Sequence, residues 1–364
     1  MRSISIGKLA ISYVGVFIGA GFISGQELWQ FFGCFGAKGL LGCLLIQPIF
    51  FPIFYALLRL VHDTGEESVG RLLTPGDHPK LIAAVDIMQD LFLFGIIVIM
   101  IAGAAALGSE MLGVPQILVG AVFTLLLILV ALLGLEGLVT TFQILVPVTT
   151  VCAVLVCAAV LLSHDFQMSE PAGSVSALLP NWQMGAISYA AYNVFGTVGV
   201  ILPLAKFLQE KGTIRKGLSL GSLLLLLLVG SMTTAMAAVP TAGQSELPMM
   251  ELARTVHPLF ATLYGVLMAF GMFSCALGSL IALLVQMGLR WKEAGRKQGV
   301  TTVAVAAASF VCSLLGFGNL VGTIYPLFGY ASIPLMAFLL VNFYRHCKGT
   351  LGWKIQAKES APTE

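Results

Sequence analysis

A hydrophobic stretch near the start of the chain carries polar residues that could do chemistry. It reads GAGFISGQELWQFF, from Gly19 to Phe32, within an apolar run from about 6 to 35. Polar groups in hydrocarbon need partners, and glycine tolerates unusual dihedrals and lets a ligand approach the main chain. We therefore expect the backbone to unwind at about 19–25 beside a ligand. The candidate substrate-binding residues here are Gly19, Ala20, Gly21, Ser24, Gly25, Gln26 and Glu27.

Two interpretations of this stretch stay open. The spacing of Ser24 and Glu27 is that of a capping box, in which Ser24 caps a half-helix and Glu27 bonds back to the Ser24 N–H. Alternatively, Glu27 binds a substrate amine or carries a coupling proton, and both interpretations can hold together. The glycines could also serve only close packing between helices, because small residues line such contacts in membranes.

Two further carboxylates, Asp86 and Asp90, lie in another apolar stretch and share one helix face because they are four residues apart. If that helix enters the membrane near Leu81, Asp90 lies roughly 13 Å deep at about 1.5 Å per residue. A carboxylate at that depth indicates a functional site, and we consider both residues as coupling candidates. The alternative is hydration from an inner cavity or a bond to a neighbouring hydroxyl group.

A second polar interruption lies about half a chain later, in SYAAYNVFGTVGVILPLAKF from Ser188 to Phe207. We expect the backbone to be non-helical at about 193–199 and to meet the first break near the middle of the membrane. An amide such as Asn193 could either cap freed backbone or bind a ligand. The candidate substrate-binding residues here are Tyr189, Tyr192, Asn193, Gly196 and Thr197.

The elements that carry these residues are membrane spans. The chain has 364 residues, of which 58% are hydrophobic and only 10% are charged, whereas an average soluble domain has about 25% charged residues. Spans need roughly 20 apolar residues. The sequence predicts an all-α integral membrane protein with ten spans at about 7–34, 38–60, 81–108, 114–134, 138–162, 184–208, 214–238, 259–289, 300–317 and 319–345.

The distribution of basic residues orients these spans. With the N-terminus inside, all 19 Lys and Arg residues except Lys38 and Arg254 fall in cytoplasmic segments, as the positive-inside rule requires. We therefore expect a multi-pass protein of the inner (cytoplasmic) membrane with both termini cytoplasmic. The lipid bilayer is its partner, nothing in the sequence indicates nucleic acid binding, and protein partners are not predicted.

Aligning the first five spans onto the last five gives similar offsets for every pair. An odd number of spans per half makes the second half enter from the opposite side, which is an inverted repeat. Such repeats with Gly-interrupted spans are typical of transporters. We expect one transport domain over 1–364, with repeats at about 7–163 and 184–346 and a polar tail at about 347–364.

The segments IGAGFISGQELWQFF (Ile18–Phe32) and SYAAYNVFG (Ser188–Gly196) resemble the YkvI family of bacterial membrane proteins. This family is a branch of the amino acid–polyamine–organocation superfamily, and the resemblance covers essentially the whole chain. It implies the leucine-transporter fold, a five-plus-five inverted repeat whose first and sixth spans are broken. The resemblance implies no particular substrate, because the superfamily moves many.

The resemblance also implies a possible sodium site. In sodium-coupled members of the fold, one carbonyl and two hydroxyls of the eighth span bind sodium, together with carbonyls of the first span. The matching positions here are Gly19, Phe22, Gly271, Ser274 and Cys275, with Cys275, Gly278 and Ser279 as an alternative register. Cys275 departs from the pattern, since a thiol is a poor ligand for a hard cation. Proton-coupled relatives carry a lysine in the fifth span, which is missing at 138–162, so sodium is favoured over a proton as the coupling ion.

The sequence predicts a cation-coupled secondary active transporter of a small amino-acid-like or amine solute, working by alternating access. The alternative is a transporter-like receptor or sensor subunit that binds a small molecule without moving it. We expect no enzyme activity, because the five histidines lie in loops or at span ends and no nucleotide-binding or nucleophile motif is present. No cofactor is predicted apart from the coupling ion, Na⁺ or H⁺.

Overall fold

The computed structural model describes residues 5–66, 68–76, 78–134, 145–163, 172–205, 211–291 and 297–351. Every regular element within these ranges is a helix, as the sequence predicts. The α-helices are α1 Ile6–Phe17, α2 Ala20–Ile23, α3 Gln26–Phe31, α4 Ala37–Thr64, α5 Val69–Leu72, α6 Pro79–Leu112, α7 Gln116–Leu132, α8 Leu145–Ser163, α9 Trp182–Ala205, α10 Lys211–Ala238, α11 Pro248–Val256, α12 Pro258–Arg290, α13 Gln298–Ser313 and α14 Phe317–Cys347. Two short 3₁₀ helices cover Gly33–Phe35 and Pro240–Gln244.

The length and composition of these helices are those of a multi-pass membrane protein. Among the described residues, five helices are long and apolar enough to cross a bilayer, namely α4, α6, α10, α12 and α14. Shorter apolar helices are α1, α7, α13 and the part of α8 from Pro147. Large aliphatic side chains such as Leu125 and Leu227 are exposed on the outside of the bundle, where lipid would cover them. The count of ten spans stays a prediction.

The first span is interrupted, which confirms the break that the glycines predict. Helix α1 ends at Phe17, and α2 is a single turn that ends at Ile23. The chain then turns through Ser24 and Gly25 before α3 begins. Gly25 has a φ of 79°, a left-handed conformation that costs glycine little. The break therefore consists of one helical turn between two irregular junctions.

The predicted second break is wrong, because α9 runs through 193–199 as one continuous helix. The polar side chains there bond back to the carbonyls one turn earlier: Asn193 Nδ2 donates to Tyr189 O at 3.0 Å and Thr197 Oγ1 donates to Asn193 O at 2.7 Å. A Cβ on Gly196 would lie 2.5 Å from the ring of Phe92. Gly196 therefore serves close packing between α9 and α6 instead of unwinding the helix.

The helices pack so that α9, α4 and α14 surround the interrupted first span. Helix α9 lies against α4 and α14, α1 lies against α10, and α6 lies against α12. On the side where α1 begins, which we call the N-terminal face, Asp63 at the end of α4 contacts His346 at the end of α14, with His346 Nε2 3.2 Å from Asp63 Oδ2. On the opposite face, Arg254 of α11 contacts Glu110 of α6 at 2.6 Å.

Close backbone contact at Gly39 generates a prediction. A Cβ on Gly39 of α4 would lie 2.0 Å from the carbonyl oxygen of Phe32, a backbone atom that has little room to move. We expect Gly39→Ala to lower the free energy of unfolding by about 1–3 kcal/mol, as overpacking does. The measurement is thermal unfolding of the purified protein in detergent.

The matched control for this substitution is Gly230→Ala in α10, where a Cβ meets no atom within 4 Å. Alanine is a better helix former than glycine, so this variant should unfold at or slightly above the wild-type midpoint. Equal midpoints for both variants would contradict the close contact.

Candidate functional site

Glu27 lies at the meeting point of three segments. It belongs to α3, and only 4% of its surface is exposed. The Tyr192 hydroxyl of α9 donates a hydrogen bond to Glu27 Oε1. The Tyr192 ring stacks on Tyr325 of α14, with centroids 4.7 Å apart and planes inclined by 3°. The other carboxylate oxygen lies 2.8 Å from the position of a Cβ on Gly21, so the carboxylate lies directly over the glycine turn of α2.

The surroundings of Glu27 are polar and aromatic but carry no positive charge. Tyr189 and Asn193 of α9 also face the carboxylate, and the Phe31 ring lies 5.5 Å from that of Tyr192. Among the described residues, no Lys, Arg or His forms an ion pair with Glu27. A buried carboxylate is costly without a partner of opposite charge. This one is therefore stable as the neutral acid or beside a bound cation.

Hydrogen bonds from other helices satisfy the backbone of the break. The Tyr264 hydroxyl of α12 donates to Ile23 O at 2.6 Å, and the N–H of Met249 in α11 donates to Ser24 O at 3.0 Å. Ser24 Oγ accepts from Gln26 N at 3.3 Å and donates to Gly21 O at 2.9 Å. The predicted capping box does not form, because α3 is preceded by Gly25, Ser24 Oγ accepts from Gln26 N instead of Glu27 N, and the Glu27 carboxylate turns to Tyr192.

A cavity of about 670 Å³ lies beside α3, toward the face opposite the N-terminal face. We call it the vestibule. Its walls come from α3, from residues 175–178, from residues 243–246 and from the first turns of α14. Gln26, Trp29 and Gln30 of α3 line it, and Glu246 is the charged residue among its described lining residues. Glu27 follows Gln26 directly but points away from the vestibule lining toward α9 and α14.

Several polar atoms of the vestibule wall have no partner in the described structure. They are the amide oxygens of Gln26 and Gln30 and the indole nitrogen of Trp29, all buried. Gln30 holds its position by donating from Nε2 to Gly318 O at 2.7 Å. Buried polar groups are normally hydrogen-bonded, so these atoms are groups that a ligand or water would satisfy.

Asp90 lies in a separate ion pair. Arg290 at the end of α12 donates from Nη1 to Asp90 Oδ2, and the side chains are 27% and 11% exposed, respectively. Asp86, one turn earlier, packs against Gly70, with its Oδ1 3.1 Å from the position of a Cβ there. Sequence reasoning missed Arg290 because it ends a span 200 residues away. The pair joins α6 to α12 and does not contribute to the Glu27 cluster.

The predicted sodium ligands come near one another but form a poor oxygen set. Gly271 of α12 faces the first span, since a Cβ there would lie 3.5 Å from Cδ1 of Ile23. The carbonyls of Gly19 and Phe22 already accept backbone hydrogen bonds from Ile23 and Gly25. Ser274 and Ser279 are buried, and Cys275 contributes sulfur. Because a hard cation prefers several oxygen ligands, these residues fit sodium poorly in this conformation.

Some of the remaining predicted residues lie around the Glu27 carboxylate, and others permit close packing of the neighbouring segments. Gly21, Glu27, Tyr189, Tyr192 and Asn193 come together around the carboxylate. Gly25 and Gly196 instead permit close approach, to Met249 and to Phe92 respectively. Tyr325 completes the cluster although the sequence analysis did not select it. Its signal was weak, because a lone tyrosine in an apolar span is typical of helix packing.

Comparison with known proteins supports a membrane transporter fold. No family model matches the chain. The chain is 27% identical over 348 residues to the uncharacterized membrane protein YkvI of Bacillus subtilis (strain 168), covering 92% of this chain and 95% of that protein. It is 24% identical over 345 residues to the uncharacterized protein YyaD of the same organism, covering 92% and 96% respectively.

Two solved structures share the fold. One is an inward-facing conformation of Mhp1, with a TM-score of 0.65 and 14% identity over 94% of this chain and 77% of that chain. The other is a manganese transporter of Eremococcus coleocola in complex with an aromatic bis-isothiourea compound, with a TM-score of 0.53 and 11% identity over 95% and 87%. The chain is therefore a multi-pass membrane protein with a fold like that of the leucine transporter. The comparisons also confirm the expectation that it is not an enzyme.

The Asp90–Arg290 ion pair generates a prediction. We expect Asp90→Asn to destabilise the contact between α6 and α12 by about 1.5–3 kcal/mol, the range for a hydrogen bond to a charged group. Asp86→Asn is the matched control, because Asp86 makes no direct bond to Arg290 among the described contacts, and it should cost less. Thermal unfolding in detergent measures both variants.

The double variant Asp90→Arg with Arg290→Asp should recover part of the loss, since the swapped charges can still attract. Additive effects of the two single substitutions would contradict a direct interaction.

Proposed function

We propose that this protein is a cation-coupled secondary active transporter of a small amino-acid-like or amine solute. The observation that carries the proposal is Glu27, a buried carboxylate without a counter-charge among the described residues, set in the interrupted first span. A membrane protein that needed only stability would gain by replacing this carboxylate with an apolar side chain. The fold shared with transporters supports the same conclusion.

The two faces of the bundle fit alternating access. The vestibule approaches α3 from one face, while side-chain contacts join the helices at the N-terminal face. These contacts are Asp90–Arg290 between α6 and α12 and Asp63–His346 between α4 and α14. A solute that enters the vestibule reaches Glu27 only if α3 moves relative to α9 and α14. Its release on the other side then requires the contacts at the N-terminal face to separate.

The coupling cation remains sodium or a proton, and the geometry supports the proton. Glu27 accepts a hydrogen bond from Tyr192 and is faced by Tyr189, Asn193 and Tyr325, none of which is charged at neutral pH. Such a carboxylate can exchange a proton for a positive ligand without leaving a net charge buried. The sodium residues, in contrast, offer Ser274 as their side-chain oxygen in the first register.

We also propose the finer features of the architecture. They are ten spans in a five-plus-five inverted repeat, membership of the amino acid–polyamine–organocation superfamily, and an inner-membrane location with both termini cytoplasmic. Helices α1 and α10 run parallel, because Leu9 contacts Gly217 and Tyr13 contacts Gly221 in the same order along both helices. This direction supports the repeat, since the inverted arrangement of five plus five spans makes the first and seventh spans cross the membrane in the same direction. In this orientation the vestibule opens to the outside.

The test of transport is uptake into liposomes that contain the purified protein. Labelled amino acids and amines are supplied outside, with sodium and proton gradients imposed separately. A transporter accumulates solute against its gradient and loses this ability when the driving gradient is collapsed. Saturable binding without accumulation under either gradient would instead indicate the rival function, a receptor or sensor subunit.

Glu27→Gln generates the first prediction for this assay. The amide cannot release a proton, so we expect proton-driven accumulation to be lost, with a fall of at least about 100-fold for a group essential to coupling. Normal proton-driven accumulation by Glu27→Gln would exclude Glu27 as the proton carrier.

Ser274→Ala generates the second prediction. If sodium binds between the first span and α12, losing this hydroxyl should cost about 1–3 kcal/mol, as for an unsatisfied polar partner, and should raise the sodium needed for half-maximal uptake about 10-fold to 100-fold. Ser279→Ala should raise the sodium needed for half-maximal uptake less than Ser274→Ala if Gly271, Ser274 and Cys275 form the site. It should raise it more than Ser274→Ala if Cys275, Gly278 and Ser279 form the site. If the proton is the coupling ion, uptake by both variants should match the wild type in sodium-free buffer.

A further inference from the structure

We infer that the transported solute is a small organic amine that carries net positive charge and no carboxylate, and that the vestibule recognises its ammonium group before it reaches Glu27. The inference rests on the proposed function and narrows its substrate class. It also assigns a recognition site to Gln26, Trp29, Gln30 and Glu246, of which the sequence analysis selected only Gln26.

The charges along the path support a cationic solute. Glu246 lies in the vestibule wall, and Glu27 lies behind it on α3, so two carboxylates mark the route. The described basic residues of this end of the bundle, Lys38 and Arg254, do not line the vestibule. Arg254 is engaged by Glu110 and Glu251. A path whose charges have one sign attracts solutes of the opposite sign and repels those of the same sign.

The position of the Glu27 carboxylate disfavours an amino acid. One of its oxygens lies against Gly21, in the single helical turn of the broken span. The carboxylate of an amino acid bound to this turn would lie beside that of Glu27, and two carboxylates so close cannot both stay ionised, so an amino acid would bind only while Glu27 is protonated. An amine has no such group, and its ammonium would neutralise Glu27 directly.

The hydrogen-bonding groups of the vestibule match the same solute. An ammonium group has three N–H donors and no acceptor. The unpartnered amide oxygens of Gln26 and Gln30 are acceptors buried in the wall, which an ammonium group reaches once these side chains turn toward the vestibule, and Glu246 adds a carboxylate that contacts Gln116 at 3.3 Å but no described cation. Aromatic faces attract cations, and Trp29 lies in the wall while Tyr192 and Tyr325 lie beside Glu27. A volume of about 670 Å³ suits a small molecule.

The experiment measures binding to the purified full-length protein in detergent, by calorimetry, with three matched pairs of probes. The pairs are putrescine with ornithine, isopentylamine with leucine, and tyramine with tyrosine, in which each amino acid differs from its amine by one carboxylate. We expect at least one amine to bind, with a Kd at least about tenfold below that of its amino acid, which corresponds to about 1.4 kcal/mol.

Three variants connect this binding to the structure. Glu27→Gln should abolish binding of the preferred amine, and Glu246→Gln should weaken it by about twofold to fivefold, as for a partly exposed charge pair. Glu251→Gln is the matched control. It removes an equal charge from the same side of the bundle, but Glu251 faces Arg254 and does not line the vestibule. The Glu251→Gln variant should therefore bind the amine with the Kd of the wild type.

Tighter binding of an amino acid than of its amine would overturn the inference, as would the absence of saturable binding by all three amines. Liposome uptake of the same six probes separates the two proposals. Uptake of amino acids with no preference for amines would leave the transporter standing and remove the substrate class. Tight binding of an amine without uptake would support the amine as the ligand and contradict the proposal that the protein is a transporter.

Discussion

The structure depends on the cost of polar groups in hydrocarbon. A continuous helix satisfies its own backbone, but the first span is interrupted twice within eight residues and must find partners elsewhere. It finds them in the Tyr264 hydroxyl of α12, the Met249 N–H of α11 and the Ser24 side chain. These bonds attach the break to elements that are distant in sequence. Movement of α11 or α12 would therefore alter the backbone beside Glu27 directly.

Glycine makes the surrounding contacts possible. Helix α4 approaches the end of α3 at Gly39, α6 approaches α9 at Gly196, and α14 approaches α9 at Gly329, where a Cβ would lie 2.0 Å from Ser188 Oγ. Each contact removes the space that a side chain would need. The helices that hold Tyr192 and Tyr325 thus lie close enough for their rings to stack and enclose the carboxylate.

The charged groups fall into two sets with different physical roles. At the N-terminal face, acids meet bases: Asp90 pairs with Arg290, while Asp63 contacts Arg59, His62 and His346. Such pairs join helix ends and can separate when the helices move. Along the path from the vestibule, Glu246 and Glu27 meet no described base. The first set is suited to hold a conformation, and the second is suited to receive a cation.

The sequence by itself determined the membrane class, the helical fold and the break at 19–25, and it singled out Glu27 as a candidate, because each follows from local composition and from the cost of burying polar groups. Tertiary structure decided the rest. A segment that contains Asn193 and Gly196 can either unwind or pack closely against a neighbouring helix, and its sequence is the same in both cases. Only the position of Phe92 beside Gly196 shows that α9 packs closely. Likewise, the partner of Asp90, the stacking of Tyr325 and the vestibule wall depend on contacts between residues far apart in the chain, which no local pattern records.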